Sequence, residues 1–150
     1  MDLILWRHAE AEDGTPDHDR RLTRRGHRQA LRMARWLDQQ LPASYRILSS
    51  PATRARQTAA ALSPTMQVDE RLEPGMGAKD LLEACGWRKG GRTVVVVGHQ
   101  PTIGQIAALL MCGREIDWRL KKGAICWLSR GDHDDDTVTL KALVSPDMIP

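Results

Sequence analysis

An α/β fold with a largely parallel sheet is the class that this sequence predicts, and three features carry the prediction. Two short, wholly apolar runs, Leu3-Ile4-Leu5-Trp6 and Val94-Val95-Val96-Val97, have the length and composition of strands buried on both faces. Strand-like segments alternate with stretches whose apolar residues recur at helical spacing. A late pair of segments, 124–128 and 137–144, reads as a hairpin around an acidic turn from Gly131 to Asp136. The expected architecture is a three-layer α/β/α domain with a largely parallel central sheet and an antiparallel edge strand, with residues 1–150 forming a single domain.

Taken in order, the first strand spans about residues 2–7. A polar loop containing Gly14 and Pro16 follows, and Thr23 is positioned to cap a helix whose buried stripe is Ala30, Met33, Ala34, Leu37 and Leu41. Pro42 cannot continue that helix. Arg46 to Ser49 forms a short strand. Ser50-Pro51 then supplies a cap and a first-turn proline for a helix running to about Leu62. Gln67-Val68 is a weak strand candidate, and Ala78 to Cys85 a short helix ended by Gly86. Thr93 to Val97 is the strongest strand. Pro101 opens a last helix with Ile103, Ile106, Ala107, Leu110 and Met111 on its apolar face.

Composition narrows the class. Apolar residues make up 41% and charged residues 27%, ordinary globular values that argue against disorder. With no Phe, five Trp and one Tyr, the core has to be mostly aliphatic. The first residues are too short an apolar run for a signal peptide, and no run approaches the ~20 residues of a membrane span. Cys85, Cys112 and Cys126 include no CxxC pair, which indicates neither a disulfide framework nor a zinc site. A cytoplasmic protein with no membrane partner is expected, and a monomer is favoured.

The net charge of +3 conceals an uneven distribution. Glu10, Glu12, Asp13, Asp17 and Asp19 precede a basic stretch in which Arg24, Arg28, Arg32 and Arg35 form one stripe on a helix. A solvated helix face explains such a stripe, and so does a docking surface for an acidic partner. No aromatic side chains are interleaved for base stacking, so nucleic acid is not the expected partner.

Chemistry concentrates where two strands end. Arg7-His8-Ala9 leaves the first and Gly98-His99 leaves the fourth, and in open parallel sheets ligands bind beyond the carboxyl ends of the strands. Arginine and imidazole groups meeting there suit a bound anion. His18, His27 and His133 have no such context and are assigned no chemistry.

With Asp19-Arg20-Arg21-Leu22-Thr23 and Gly26, Ser49-Ser50-Pro51 with Arg54-Ala55 and Gln57-Thr58, these motifs resemble the histidine phosphatase superfamily, which includes the cofactor-dependent phosphoglycerate mutases. The short length and Arg20-x-Leu-Thr resemble its small phosphohistidine phosphatase branch, the SixA-like proteins. Nearly the whole chain matches in order and spacing. The resemblance implies that His8 is the nucleophile, carrying the phosphoryl group on a ring nitrogen before passing it to water. It implies that Arg7, Arg54 and His99 hold the phosphoryl oxygens, a task suited to the planar, always charged guanidinium. Arg20 matches a further substrate-binding arginine of the branch, although its neighbour Arg21 could face the phosphate instead.

Two positions depart from the wider superfamily. Ala9 replaces the glycine usual after the nucleophile, as the small branch allows. Where the mutases and sugar phosphatases resemble one another in carrying a carboxylate after Leu-x-Glu, Arg71-Leu72-Glu73-Pro74 puts Pro74 at the acid's place and Glu73 one residue out of register. Glu10 and Asp19 are further carboxylates near the site.

Rival phosphatase chemistries fail on the same letters. Six residues after each cysteine stand Gly91, Trp118 and Asp132, not the arginine of a cysteine phosphatase. Asp134-Asp135-Asp136 follows a polar turn instead of an apolar strand, and no GxxxxGK[ST] loop exists. The expected activity is metal-independent, cofactor-free hydrolysis of phosphohistidine on a protein, or of a small phosphoramidate, through a phosphorylated His8. The alternatives are a broad phosphomonoesterase with Glu73 as acid, and a non-catalytic module that binds phosphorylated partners.

Overall fold

The two apolar runs become neighbours at the centre of a six-stranded sheet in the order β3-β2-β4-β1-β5-β6. The computed structural model describes residues 1–131 and 137–150; Asp132, His133 and the acidic run Asp134 to Asp136 lie outside the described residues. The strands are β1 (Asp2–Arg7), β2 (Tyr45–Ser49), β3 (Gln67–Val68), β4 (Thr93–Gly98), β5 (Ile125–Arg130) and β6 (Val138–Val144). β3, β2, β4 and β1 run parallel, while β5 and β6 add antiparallel to the far side of β1. The antiparallel edge is the β5–β6 pair, which the sequence reads as a hairpin.

The helices α1 (Arg24–Gln40), α2 (Thr53–Ala60), α3 (Ala78–Cys85) and α4 (Thr102–Cys112) cover both faces. Alternate residues of the central strands point to opposite sides, as pleating requires. Ile4, Trp6, Val95 and Val97 pack with Met33 and Leu37 of α1 and Ala55 and Ala59 of α2. Leu3, Leu5, Val94 and Val96 pack with Leu81 of α3 and Ile103 and Ile106 of α4. Both faces of β1 and β4 are buried, which explains why their sequences are continuous apolar runs. Each such buried Leu or Val contributes about 1.5–3 kcal/mol.

Three local expectations need correction. Thr53, not Pro51, opens α2: Ser50 Oγ accepts a hydrogen bond from Ala52 N at 3.2 Å, so the serine closes a turn one step before the helix. Pro101 sits just before α4 and not inside it. On the predicted apolar stripes, Leu41 is the residue after α1 and is half-buried, as is Leu110, and Met111 is 37% exposed because α4 ends beside the surface.

One contact ties the loop after β1 to α1. Thr23 caps the helix, accepting from Gly26 N at 2.9 Å and donating to Glu10 Oε1 at 2.9 Å, while Thr23 N donates to Glu10 O at 3.0 Å. The helix then passes so close to the loop that a Cβ on Gly26 would lie 1.9 Å from Glu10 O. Glycine is required there for space. A Gly26→Ala substitution is expected to lower the unfolding free energy by about 1–3 kcal/mol, read from the denaturant midpoint. An unchanged midpoint would show that the Glu10 backbone gives way freely.

Candidate active site

Three parallel strands deliver their last residues to one edge. Arg7 is paired in register with Gly98, and His8 N donates to Gly98 O at 3.0 Å. His8 and His99, the next residue in each strand, therefore face one another, with ring centroids 5.1 Å apart. On the other side of β4, Ser49 pairs with Val97, and Ser50 N donates to Val97 O at 3.1 Å. That brings Ser50 Oγ within 2.8 Å of His99 Nε2.

The first turn of α2 supplies the rest. Arg54 is 4% exposed, and its guanidinium reaches the loop after β1, donating to Asp17 O at 2.8 Å and to Asp17 Oδ2 at 3.1 Å. One turn later Thr58 Oγ1 donates to Arg54 O and accepts from Ala9 N at 3.0 Å, so the nucleophile candidate's neighbour is clamped to the helix. Gln57 Oε1 accepts from Leu22 N at 2.8 Å, holding the segment that carries Arg20. The Arg54-x-x-Gln57-Thr58 spacing is thus one charge and two clamps on adjacent helical turns.

The His8 ring has a fixed tautomer. Its Nδ1 lies 2.7 Å from Ala9 O, an acceptor, so Nδ1 carries the proton and Nε2 holds the free lone pair. Burial lowers its pKa to about 4, with the charges of Arg54, Arg7 and Arg20 adding to the effect. Burial also lowers His99 to about 3, assisted by His8 and Arg54. Both rings are neutral at pH 7. Arg7 donates to Leu120 O at 2.6 Å, and burial and the neighbouring Arg119 charge lower its pKa.

Among the described residues, the buried side-chain nitrogen and oxygen atoms without a partner are Arg7 Nε, Arg54 Nε and His99 Nδ1. Buried donors are nearly always satisfied, so three orphans in three residues gathered about His8 mark a place for a missing acceptor. Ser50 Oγ accepts from Ala52 N and keeps its proton for His99 Nε2 in the tautomer in which His99 Nδ1–H is a donor.

His8, Arg7, Arg54 and His99 are brought together, and Arg20 joins them. Arg20 Nε donates to Glu12 O at 2.7 Å, its Nη1 meets Asp17 Oδ1 at 3.0 Å, and its charge is felt at His8. Arg21 instead lines a separate hollow with Thr53 and Arg56. Glu73 is exposed on the turn after Leu72, and among the described residues its carboxylate makes no hydrogen bond or ion pair with this cluster. Glu10 is spent on Thr23 and Arg25, and Asp19 is exposed. Ser50 and Thr58 stand in the motifs quoted above without a role at the site, and Asp17 and Arg119 were given none. Ser50, at the end of a parallel strand, and Thr58, one helical turn after Arg54, carried a signal in the sequence; Asp17 and Arg119 carried none. No group of His, Cys, Asp and Glu able to hold a metal is found among the described residues.

Residues 3–77 match the histidine phosphatase superfamily (branch 1). The chain is 36% identical over 163 residues to an uncharacterized protein of Picosynechococcus sp., with 97% of each covered. It is 30% identical over 126 residues to the phosphohistidine phosphatase SixA homolog of Haemophilus influenzae, covering 73% of this chain and 77% of that protein. The structure of the protein histidine phosphatase SixA complexed with tungstate superposes with a TM-score of 0.84 at 26% identity, covering 99% of each chain. The chain belongs to the histidine phosphatase superfamily and is a hydrolase of the histidine-phosphatase type. Within that superfamily it falls in the SixA-like branch.

The low imidazole pKa values have a consequence for stability. In the unfolded chain a histidine takes up a proton near pH 6.5, whereas folded His8 and His99 hold off protonation to about pH 4 and about pH 3. Their full contribution is present above pH 6.5 and is lost as pH falls from there through 4 toward 3. Urea unfolding at pH 7 and pH 5 should show lower stability at pH 5, and the His8→Asn/His99→Asn double variant should show a smaller drop. Equal drops in both proteins would mean that these rings protonate inside the fold.

Proposed function

We propose that residues 1–150 act as one histidine phosphatase domain that hydrolyses phosphohistidine on a protein, or a small phosphoramidate, through a phosphorylated His8. The observation that carries this reading is the coincidence of a neutral, tautomer-fixed His8 with the unpartnered donors of Arg7, Arg54 and His99. A phosphoryl group is the acceptor those donors lack. Arg20 adds positive charge behind them.

In the first step, His8 Nε2 attacks phosphorus as the bond to the leaving nitrogen breaks. Arg7, Arg54 and His99 donate hydrogen bonds to the phosphoryl oxygens, supplying the positioning and charge stabilisation that such transfers mainly need. The His8 Nδ1–H bond to Ala9 O persists through the step and stabilises the cationic phosphoimidazole. Water then takes the phosphoryl group, releasing phosphate and a proton and returning His8 to its neutral form. A nitrogen of low basicity leaves readily in that second step.

Substrate choice follows from the exposed Glu73 and from Pro74. A general acid contributes about 10²–10⁴-fold when the leaving group is poor. An alkoxide is a poor leaving group, but a ring-protonated phosphohistidine releases neutral imidazole, whose conjugate acid has a pKa near 6.5. The phosphorus–nitrogen bond therefore does not need the missing acid. No metal or cofactor enters the reaction, and the free thiols of Cys85, Cys112 and Cys126 fit a cytoplasmic setting. A binding module without turnover would have no use for a nucleophile held in one tautomer.

Two tests bear on this reading. Under single-turnover conditions with a labelled phosphohistidine peptide, label should be trapped on His8; His8→Ala should abolish hydrolysis, and Arg54→Ala should lower kcat by about 10²–10³-fold. Turnover retained by His8→Ala would end the proposal. Separately, kcat/KM for a phosphohistidine peptide should exceed that for a phosphoserine peptide and for 3-phosphoglycerate by at least about 10²-fold, with EDTA without effect and tungstate competing with substrate. Equal turnover of the esters would point to a working acid.

A further inference from the structure

Outside the cluster around His8, the feature with the strongest chemistry is a cavity of about 800 Å³ that opens from Arg7 along α1. Arg25, Arg28, Arg32, Arg119, Lys121 and Lys122 line it. Its carboxylates are Glu10 and Asp147, and both are engaged: Glu10 with Thr23 and Arg25, Asp147 with Lys121 at 2.7 Å and with Ser145. Among the described residues Arg28, Arg119 and Lys122 have no carboxylate partner. Arg119 lies close enough to Arg7 to depress its pKa, a repulsion between like charges that an intervening anion would relieve.

This trough does not stop at the charged cluster. Arg28 and Arg32 also border a second hollow of about 600 Å³, which continues along α1 past Arg35 to Leu31, Trp36 and Ile149. Leu31 is 44% exposed there, an apolar side chain on an otherwise basic helix face. From Arg25 to Trp36 the helix rises about 16 Å at 1.5 Å per residue. A compact polyanion would satisfy the cations next to Arg7 and leave the distal arginine and the apolar end uncovered. A polypeptide with acidic side chains and an apolar one fits the whole length.

We propose that the α1 face, from Arg7 to Leu31 and Trp36, is the docking surface for an acidic polypeptide segment of the protein that carries the phosphohistidine. The inference rests on the phosphohistidine reading and adds the partner's chemistry to it. Phosphoryl recognition stays with Arg7, Arg54 and His99, while Arg28, Arg35 and Lys122 select the protein that presents it. Complementary charge of this kind raises encounter rates and discriminates between partners, and salt weakens it.

The test uses two fluorescent peptides with the same central histidine and one leucine, flanked by glutamates in one and by glutamines in the other. Binding of the unphosphorylated peptides is read by anisotropy, and hydrolysis is followed with their phosphohistidine forms and with phosphoramidate. The wild-type protein should bind the glutamate peptide at least tenfold more tightly than the glutamine peptide at 50 mM salt, with the difference shrinking at 500 mM. In R28E/R35E/K122E the preference should vanish and KM for the phosphorylated glutamate peptide should rise at least tenfold, while kcat and KM for phosphoramidate stay unchanged. Equal affinity of the wild-type protein for the two peptides would overturn the proposal. So would tripolyphosphate binding that the glutamate peptide cannot displace, which would mark a site for a small polyanion. Poor hydrolysis of both phosphohistidine peptides with the glutamate preference intact would remove the substrate reading and leave the docking surface standing.

Discussion

Parallel pairing of β1 with β4 is the constraint on which the rest of the molecule depends. Because Arg7 stands opposite Gly98, the next residue in each strand is a histidine, and the two rings meet at the sheet edge. A slip of one residue would reverse the facing of every side chain on a strand buried on both sides. Trp6 would then leave the α1–α2 layer, where its Nε1 donates to Gly123 O at 3.0 Å, for the layer beneath α3 and α4. Ile103 of α4 packs close against the end of that strand, since a Cβ on Gly98 would lie 3.4 Å from Ile103 Cδ1, at the limit of comfortable packing. Core packing and the placement of the chemistry are therefore one problem with one solution.

That placement gathers positive charge around a buried point. Burying a guanidinium without its hydrogen bonds costs several kcal/mol, and the fold spreads the cost over neighbours that are only partly satisfied. Arg54 leans on the exposed carboxylate of Asp17, Arg20 shares that same carboxylate, and Arg7 uses the Leu120 carbonyl. What remains among the described residues is an excess of positive charge near His8, with Arg7 Nε, Arg54 Nε and His99 Nδ1 buried and unpartnered. The neutral state of both imidazoles is the other side of the same balance, since a protonated ring would add to the repulsion. An anion bound beside His8, as proposed above, would balance that charge.

Much of this was legible in the sequence because the deciding interactions are local or periodic. Buried parallel strands declare themselves as apolar runs, the cap at Thr23 sits where the helix begins, and Gly86 takes the left-handed conformation that ends α3. The identity of the charged residues at strand ends was readable for the same reason. The tertiary partners were not. Asp17 meets Arg54 only because the loop after β1 folds over α2, and Arg119 meets Arg7 from a segment with no periodic pattern. Proline was read as a first-turn residue at Ser50-Pro51, yet the Ser50 hydroxyl is drawn to Ala52 N and His99, which delays α2 to Thr53. Nor does the adjacency of Arg7 and His8 show why the His8 pKa is low, since burial is a larger cause than the neighbouring guanidiniums. Burial is a property of the whole fold and leaves no mark on two adjacent letters.

The depressed basicity of His8 sets a condition on the proposed reaction. Transfer of a phosphoryl group from an ordinary imidazole, whose conjugate acid has a pKa near 6.5, to a ring at about 4 moves it onto the less basic nitrogen. Judged by basicity alone, that transfer runs uphill. The arginines that help to lower the pKa supply the compensation, because they repel a proton on His8 and attract the phosphoryl oxygens. Their interaction with the oxygens is worth most in a water-excluded site, where the donors are already oriented and need no rearrangement. An environment hostile to a proton and favourable to a dianion thus makes the intermediate accessible while keeping its nitrogen a good leaving group. Moving the arginines outward would raise the histidine's basicity and remove that compensation together, so the nucleophile and its cations have to be buried as a unit.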